Sequence, residues 1–375
     1  MMPYMSVRLC SVIGIIEMFR ILPSFLMIVF TLSILVGSAA CSGCEPADSS
    51  TYGHWQKWSD IQFVQNYVWR GDVDEDEDLS GIACISGSSR AAGSQKRCLV
   101  GADEGRKVQV IELSRSGKTL EVLADVPLVE SGEEIDIEAI TAQGHYYYIT
   151  GSHGLSKKEG ELQPNRFKIF RLKVDPGTAM PDRQVEAGTQ IPANLQVTSL
   201  SGILRGDPVL REYFLKPLQH KGVNIEGLAV KNSKLYIGFR GPNLRGRAYV
   251  LEIEAQDVFA PSLQKDYKLH ELAIGQGYGI REIVAAKSCF LIIAGNSGSE
   301  PSQQYPEAEN YERDRGFVMF SWDGRGREVH RIGQIPRAAG KAEAMTVLNE
   351  SSEQIEVLIL FDGAESGEPS VYRIY

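Results

Sequence analysis

One short phrase returns five times along this chain and limits what it can fold into more than any other feature. It reads Leu79-Ser80-Gly81-Ile82-Ala83, Ile137-Glu138-Ala139-Ile140-Thr141, Ile225-Glu226-Gly227-Leu228-Ala229, Arg281-Glu282-Ile283-Val284-Ala285 and Ala342-Glu343-Ala344-Met345-Thr346. Each copy sets a polar residue ahead of an aliphatic strand, and four of them carry glutamate. A turn and a second apolar run follow each copy, at 98–101, 146–151, 235–239, 290–295 and 357–361, and each run ends in a polar loop. Third runs come at 108–113, 167–174, 248–253, 316–322 and 371–375. A β-meander that cannot bury both faces of its own sheet stacks copy on copy around an axis, which predicts an all-β propeller.

Aligned on Ser80, Glu138, Glu226, Glu282 and Glu343, the repeats recur about every 60 residues, except that the interval from Glu138 to Glu226 is about 30 longer. The excess falls in 193–218, where Leu200, Ile203, Leu204, Leu210, Tyr213, Phe214 and Leu215 make a helix-like pattern broken at Gly206-Asp207-Pro208. This reads as a short helical insertion. Five blades are expected, with six as the alternative if 193–218 conceals strands. The chain after Glu343 suffices for three strands, so the run Ile61–Trp69 is expected to supply the fourth and close the ring.

From Ile21 to Val36 the chain is almost continuously apolar, with Arg20 before it and Gly37-Ser38-Ala39-Ala40-Cys41 after it, the order of a secretory signal. Met18 is a candidate start. Three outcomes stand: lipoprotein processing with acylation of Cys41, ordinary cleavage after Ala40, or an uncleaved anchor. All three export the domain, to the periplasm or outer envelope, and the first ties it to a membrane surface. The expected organisation is a signal over 1–40, a polar tether over 41–59 and a propeller over 60–375, acting as a monomer. Cys84 and Cys98 sit in adjacent apolar runs, as a disulfide or as two buried thiols. A net charge of −9 without a basic stripe argues against nucleic acid as a partner.

In a propeller the start of each innermost strand faces the central channel, so Ser80, Glu138, Glu226, Glu282 and Glu343 are expected to form a ring at one mouth. Loops after the second strands bring Asp103, Glu104, Ser152, His153, Arg240, Asn296 and Asp362 toward the same mouth. Facing carboxylates repel unless something neutralises them. One solution is Ca²⁺ held by Glu138, Glu226, Glu282, Glu343, Asn296 and Asp362. The other is pairing with Arg240, Arg281 and Lys341. Arg240 and Arg247 are candidates for an anion clamp, and His153 for a general base beside Glu138 or a partner of a backbone carbonyl. The acidic run Asp72–Asp78 lacks the glycine and glutamate of an EF-hand loop and reads as a solvated loop. No nucleophile elbow, Walker loop or H-E-x-x-H pattern is present.

The stretches 78–83, 223–229, Gly238-Phe239-Arg240-Gly241-Pro242 with Arg245-Gly246-Arg247-Ala248, and Lys341-Ala342-Glu343-Ala344 resemble the bacterial family called domain of unknown function 3616, over about Asp60 to Tyr375. Ser80 departs from the glutamate of the other repeats. The resemblance implies a propeller related to phytase-like and esterase-like propellers, with a calcium-dependent hydrolase in its ancestry. Two functions of different class follow as expectations. The first is a binding or scaffolding module whose mouth recognises a small molecule, glycan or envelope protein. The second is a hydrolase of esters or phosphoesters that uses a channel cation.

Overall fold

The computed structural model describes residues 55–85, 95–181, 184–185, 188–262 and 265–375, so the signal, Cys41 and most of the tether lie outside the described residues. Two strands come first, β1 (Ile61–Asn66) and β2 (Val68–Arg70). Blade 1 is β3 (Leu79–Ile85), β4 (Gln95–Ala102), β5 (Lys107–Ser114) and β6 (Thr119–Pro127). Blade 2 is β7 (Ile137–Gln143), β8 (Tyr146–Gly151), β9 (Ile169–Lys173) and β10 (Leu195–Thr198). Blade 3 is β11 (Asn224–Lys231), β12 (Lys234–Gly241), β13 (Ala248–Glu254) and β14 (Tyr267–Leu272). Blade 4 is β15 (Tyr278–Ala285), β16 (Phe290–Asn296), β17 (Val318–Trp322) and β18 (His330–Gln334). Blade 5 is β19 (Lys341–Glu350), β20 (Ile355–Asp362) and β21 (Ser370–Ile374), with β1 as its outer strand.

The innermost strands β3, β7, β11, β15 and β19 each pack on the next, and β19 packs back on β3, so the ring is a closed propeller of five blades. Hairpin chemistry sets each meander: Asn232 and Ser233 both take positive φ between β11 and β12, the geometry of a two-residue turn whose twist matches its strands. Between blades the backbone comes close enough to demand glycine. A Cβ on Gly227 would lie 2.9 Å from Ile283 Cγ2 of the next blade. β12 and β20 are apolar along nearly their whole length because both of their faces are covered by neighbouring blades.

Closure is more elaborate than one shared strand. The run Ile61–Trp69 divides at buried Tyr67: β1 pairs antiparallel with β21 of blade 5, while β2 pairs parallel with β6 of blade 1. The first strands therefore tie the last blade to the first. The folded domain also starts before residue 60, because Trp58 is fully buried in the core cluster that holds Cys289, and Ser59 N–H donates to Tyr375 O at 2.7 Å. The insertion is only partly helical. It holds a short helix, α1 (Ser201–Gly206), and two 3-10 turns at Leu210–Glu212 and Leu218–His220, but it begins with β10, which completes blade 2 and adds no sixth blade. Cys84 and Cys98 face each other across β3 and β4 and form a disulfide.

Candidate functional site at the channel mouth

Each innermost strand carries a bulge near its start, where one residue is skipped in the pairing with the second strand. An unpaired bulge residue re-aims its side chain out of the sheet. The skipped residues are Ser80, Glu138, Glu226, Arg281 and Glu343. All five are buried. Blade 4 thus contributes Arg281 to the ring and not Glu282, a shift of one residue from the sequence expectation. Glu282 is paired opposite Ile293, and its Oε1 accepts the N–H groups of Ile283 at 2.7 Å and Leu228 at 3.4 Å, so it braces blades 3 and 4.

An arginine in the ring changes its electrostatics. Glu226 accepts from Arg240 Nη1 and from Arg281 Nη1, both at 2.8 Å, and Arg281 Nη2 pairs with Glu343. Arg240 spends its remaining donors on main chain, with Nε to Asn296 O at 3.1 Å and Nη2 to Gly298 O at 2.9 Å. The four charged side chains are each under 10% exposed. Buried carboxylates need such partners. Ser80 completes the circle by donating to Ile137 O of the neighbouring blade.

Glu138 stands apart. Its Oε1 is buried without a hydrogen-bond partner, and burial, followed by the nearby charges of Glu226 and Asp136, raises its carboxyl well above the usual range. Both causes disfavour its charged form. Beside it, burial pushes Asp103 up to about 7 even though Lys157 Nζ lies 3.6 Å away. Asp136, one position before the second phrase, is held by Arg166 at 2.8 Å. Lys157 is opposed by desolvation, yet Glu138, Asp136 and Asp103 together raise its ammonium above its ordinary value.

The other expected site residues have separate fates. His153 is fully buried, donating from Nδ1 to Gly151 O at 3.0 Å and accepting Leu200 N–H at Nε2 at 3.1 Å. Both ring nitrogens are engaged, burial lowers its pKa to about 4, and it is a neutral structural histidine with no part as a base beside Glu138. Arg247 pairs with Glu271 at 2.6 Å on the exposed side of blade 3, while Arg240 is sunk in the ring, so the two form no clamp. Asn296 uses its side chain to hold the loop at Glu312 and Arg315. Asp362 pairs with Lys341 at 2.6 Å. Of the six residues expected to hold a cation, Glu226, Glu343, Asp362 and Asn296 are thus engaged by protein groups, while Glu138 Oε1 and Glu282 Oε2 are buried without a hydrogen-bond partner.

Two features had no strong signal in the sequence. Glu75 and Asp78 of the acidic run lie with Glu104 so that one carboxylate oxygen from each falls within 4.8 Å of the others. The run is pinned to blade 5, with Gly363 N–H donating to Glu77 O at 2.6 Å and Ser366 Oγ to Asp76 at 2.8 Å. Beside it opens a cleft of about 760 Å³, bordered by Leu79 and residues 100–102 and 104–107 of blade 1 and by the loop 188–191. Glu75, Glu104 and Arg106 present charges there that no ion pair takes up among the described residues.

Residues 88–369 match the model of the family described as "Protein of unknown function (DUF3616)". The chain belongs to this family. No curated protein sequence matches the DUF3616 chain significantly. Among solved structures it is similar to a mutant of the Bombyx mori GH32 beta-fructofuranosidase BmSUC1 in complex with sucrose, at 9% identity and a TM-score of 0.41, over 85% of this chain and 62% of that one. An exo-beta-1,3-galactanase from Phanerochaete chrysosporium gives 9% identity and a TM-score of 0.45, over 84% and 64%. The hydrazine synthase of Kuenenia stuttgartiensis gives 10% and 0.35, over 84% and 90%. The DUF3616 chain thus spans less than two thirds of the two carbohydrate-active enzymes. Likenesses this distant transfer no chemistry, and the propeller assignment rests on the strand pairing itself.

Proposed function

We propose that this DUF3616 propeller is an exported binding module that holds a polar ligand, a glycan or a segment of an envelope protein, at the channel mouth. The cleft beside the mouth carries the reading, because it pairs a volume of about 760 Å³ with the uncommitted charges of Glu75, Glu104 and Arg106. The ring behind the cleft supports binding over catalysis, because Glu226, Arg240, Arg281 and Glu343 are spent on one another. Export is favoured by the apolar segment ahead of Cys41 and by the Cys84–Cys98 disulfide, since such bonds persist in oxidising compartments. The test is a glycan and peptide panel on the mature protein, repeated with Arg106→Glu and Glu104→Gln. A ligand that binds the parent and loses about tenfold in affinity with either variant is expected. A panel without binders, or a binder indifferent to both changes, rejects the cleft.

A second reading, a cation-dependent ester or phosphoester hydrolase, draws on one observation, the carboxylates of Glu75, Asp78 and Glu104 gathered within 4.8 Å. Oxygen ligands of this kind suit a hard cation such as Ca²⁺. Calcium titration by calorimetry with an ester and phosphoester panel decides it. Turnover that requires calcium and disappears in Glu104→Gln favours the hydrolase, and calcium-independent silence rejects it.

A further inference from the structure

Three of the exposed large apolar side chains among the described residues, Leu162, Val197 and Leu215, gather on one groove at the outer edge of blade 2, which has no lining residue in common with the mouth cleft. They are 56%, 49% and 36% exposed, and the floor between them is formed by Phe167 and Phe214, whose rings meet edge to face at 6.0 Å. The groove encloses about 520 Å³, within the range of about 300–1,000 Å³ typical of ligand pockets. Contiguous exposed apolar surface of this kind marks an interaction site more often than isolated apolar residues do.

Two further properties narrow the occupant. Among the described residues the only charged side chains lining the groove are cations, Lys168 and Arg205, although the chain as a whole is acidic at −9. Neither cation has a carboxylate partner among the described residues: Lys168 Nζ donates to the neutral amide of Asn165 at 2.6 Å, and the Arg205 guanidinium lies 5.7 Å from the centre of the Phe214 ring. One wall of the groove is β10, which pairs with β9 on one side and with nothing among the described residues on the other. An open strand edge offers a row of main-chain donors and acceptors. An acyl chain has no groups to use that row, whereas an extended peptide does.

We infer that the groove along β10 docks an extended peptide segment of a partner protein, which adds to the free edge at Gln196–Thr198, seats alternate apolar side chains over Phe167 and Phe214, and places carboxylates against Lys168 and Arg205. This is strand addition with pockets for alternate residues. It is independent of the mouth cleft and shares no residue with it.

The probe is a fluorescein-labelled Asp-Val-Thr-Val-Thr-Val-Asp peptide, read by anisotropy and by amide chemical shifts of Gln196, Val197 and Thr198 in the mature protein. The wild type is expected to bind it, with the largest shifts at those three amides. Replacing both aspartates of the probe by lysine, or its central valine by proline, is expected to weaken binding at least tenfold. Val197→Asp and Arg205→Glu are each expected to do the same without loss of folding, because both side chains are exposed. Arg205→Glu should also prefer the lysine-ended probe, reversing the wild-type order. Absence of binding at about 1 mM probe overturns the inference, as does a proline probe that binds equally well. Saturable binding of lauric acid or of anionic vesicles at the groove, with none of the peptide, overturns it in favour of a lipid.

Discussion

Replacing Glu226 by glutamine isolates the ring's charge balance. Glu226 receives Arg240 and Arg281 at 2.8 Å each, with all three side chains under 10% exposed. At that separation and an effective dielectric of about 20, each contact amounts to about 6 kcal/mol of gross attraction, most of it offset by desolvation. The variant leaves Arg281 with Glu343 and leaves Arg240 with backbone carbonyls alone. Breaking a buried pair from one side costs about 3–5 kcal/mol, and that loss is expected in urea denaturation followed by tryptophan fluorescence. It should be the same in chelator and in millimolar calcium, since the two arginines already neutralise the carboxylate. Glu138→Gln is the internal control: Glu138 Oε1 has no hydrogen-bond partner and burial disfavours its charged form, so its cost should be well below that of Glu226→Gln. Equal losses for the two variants would refute the reasoning, as would a Glu226→Gln loss that appears only with calcium.

Three further outcomes follow from the same interior. Asp103, raised to about 7 by burial, contributes stability that is complete below its unfolded pKa near 4 and is lost as pH rises through about 7, so it gives at most about 4 kcal/mol over that span. Asp103→Asn should remove that falling limb from a plot of unfolding free energy against pH. His153, lowered to about 4, acts with the opposite sign: its contribution is present above its unfolded pKa near 6.5 and is lost as pH falls toward 4, about 3 kcal/mol in all. His153→Gln, which removes the titrating ring, should therefore flatten the acid limb in the same denaturation series. Replacing Cys84 and Cys98 together by serine opens a loop with a sequence separation of 14 and should cost about 3 kcal/mol, compared with the oxidised parent under identical conditions.

The blades were legible because the phrase, the second run and the third run are local, and turn chemistry repeats with them. Features that depend on partners distant in the chain were less so. Ile61–Trp69 is one apolar run in sequence, yet Tyr67 divides it between the last blade and the first, since both offer an open strand at β21 and β6. Residues 195–198 follow a polar segment and precede a helix-like pattern, which hid an edge strand only four residues long. The ring slipped by one residue in blade 4 because Glu282 resembles the other glutamates. Aliphatic spacing does not separate the two positions either, since Ile283 stands two places after Arg281 and Val284 two places after Glu282; only the bulge in the β15–β16 pairing does. The pairing of Arg240 with Glu226, offered by the sequence as one of two solutions, is the one the fold adopts.

A double-mutant cycle between Arg281 and Glu343 tests most directly whether the ring neutralises itself. Arg281→Met and Glu343→Gln should each cost about 3–5 kcal/mol, and the double variant should cost less than their sum by about 2 kcal/mol or more in the presence of chelator. Additive losses, or a coupling that calcium creates and chelator removes, would contradict the account.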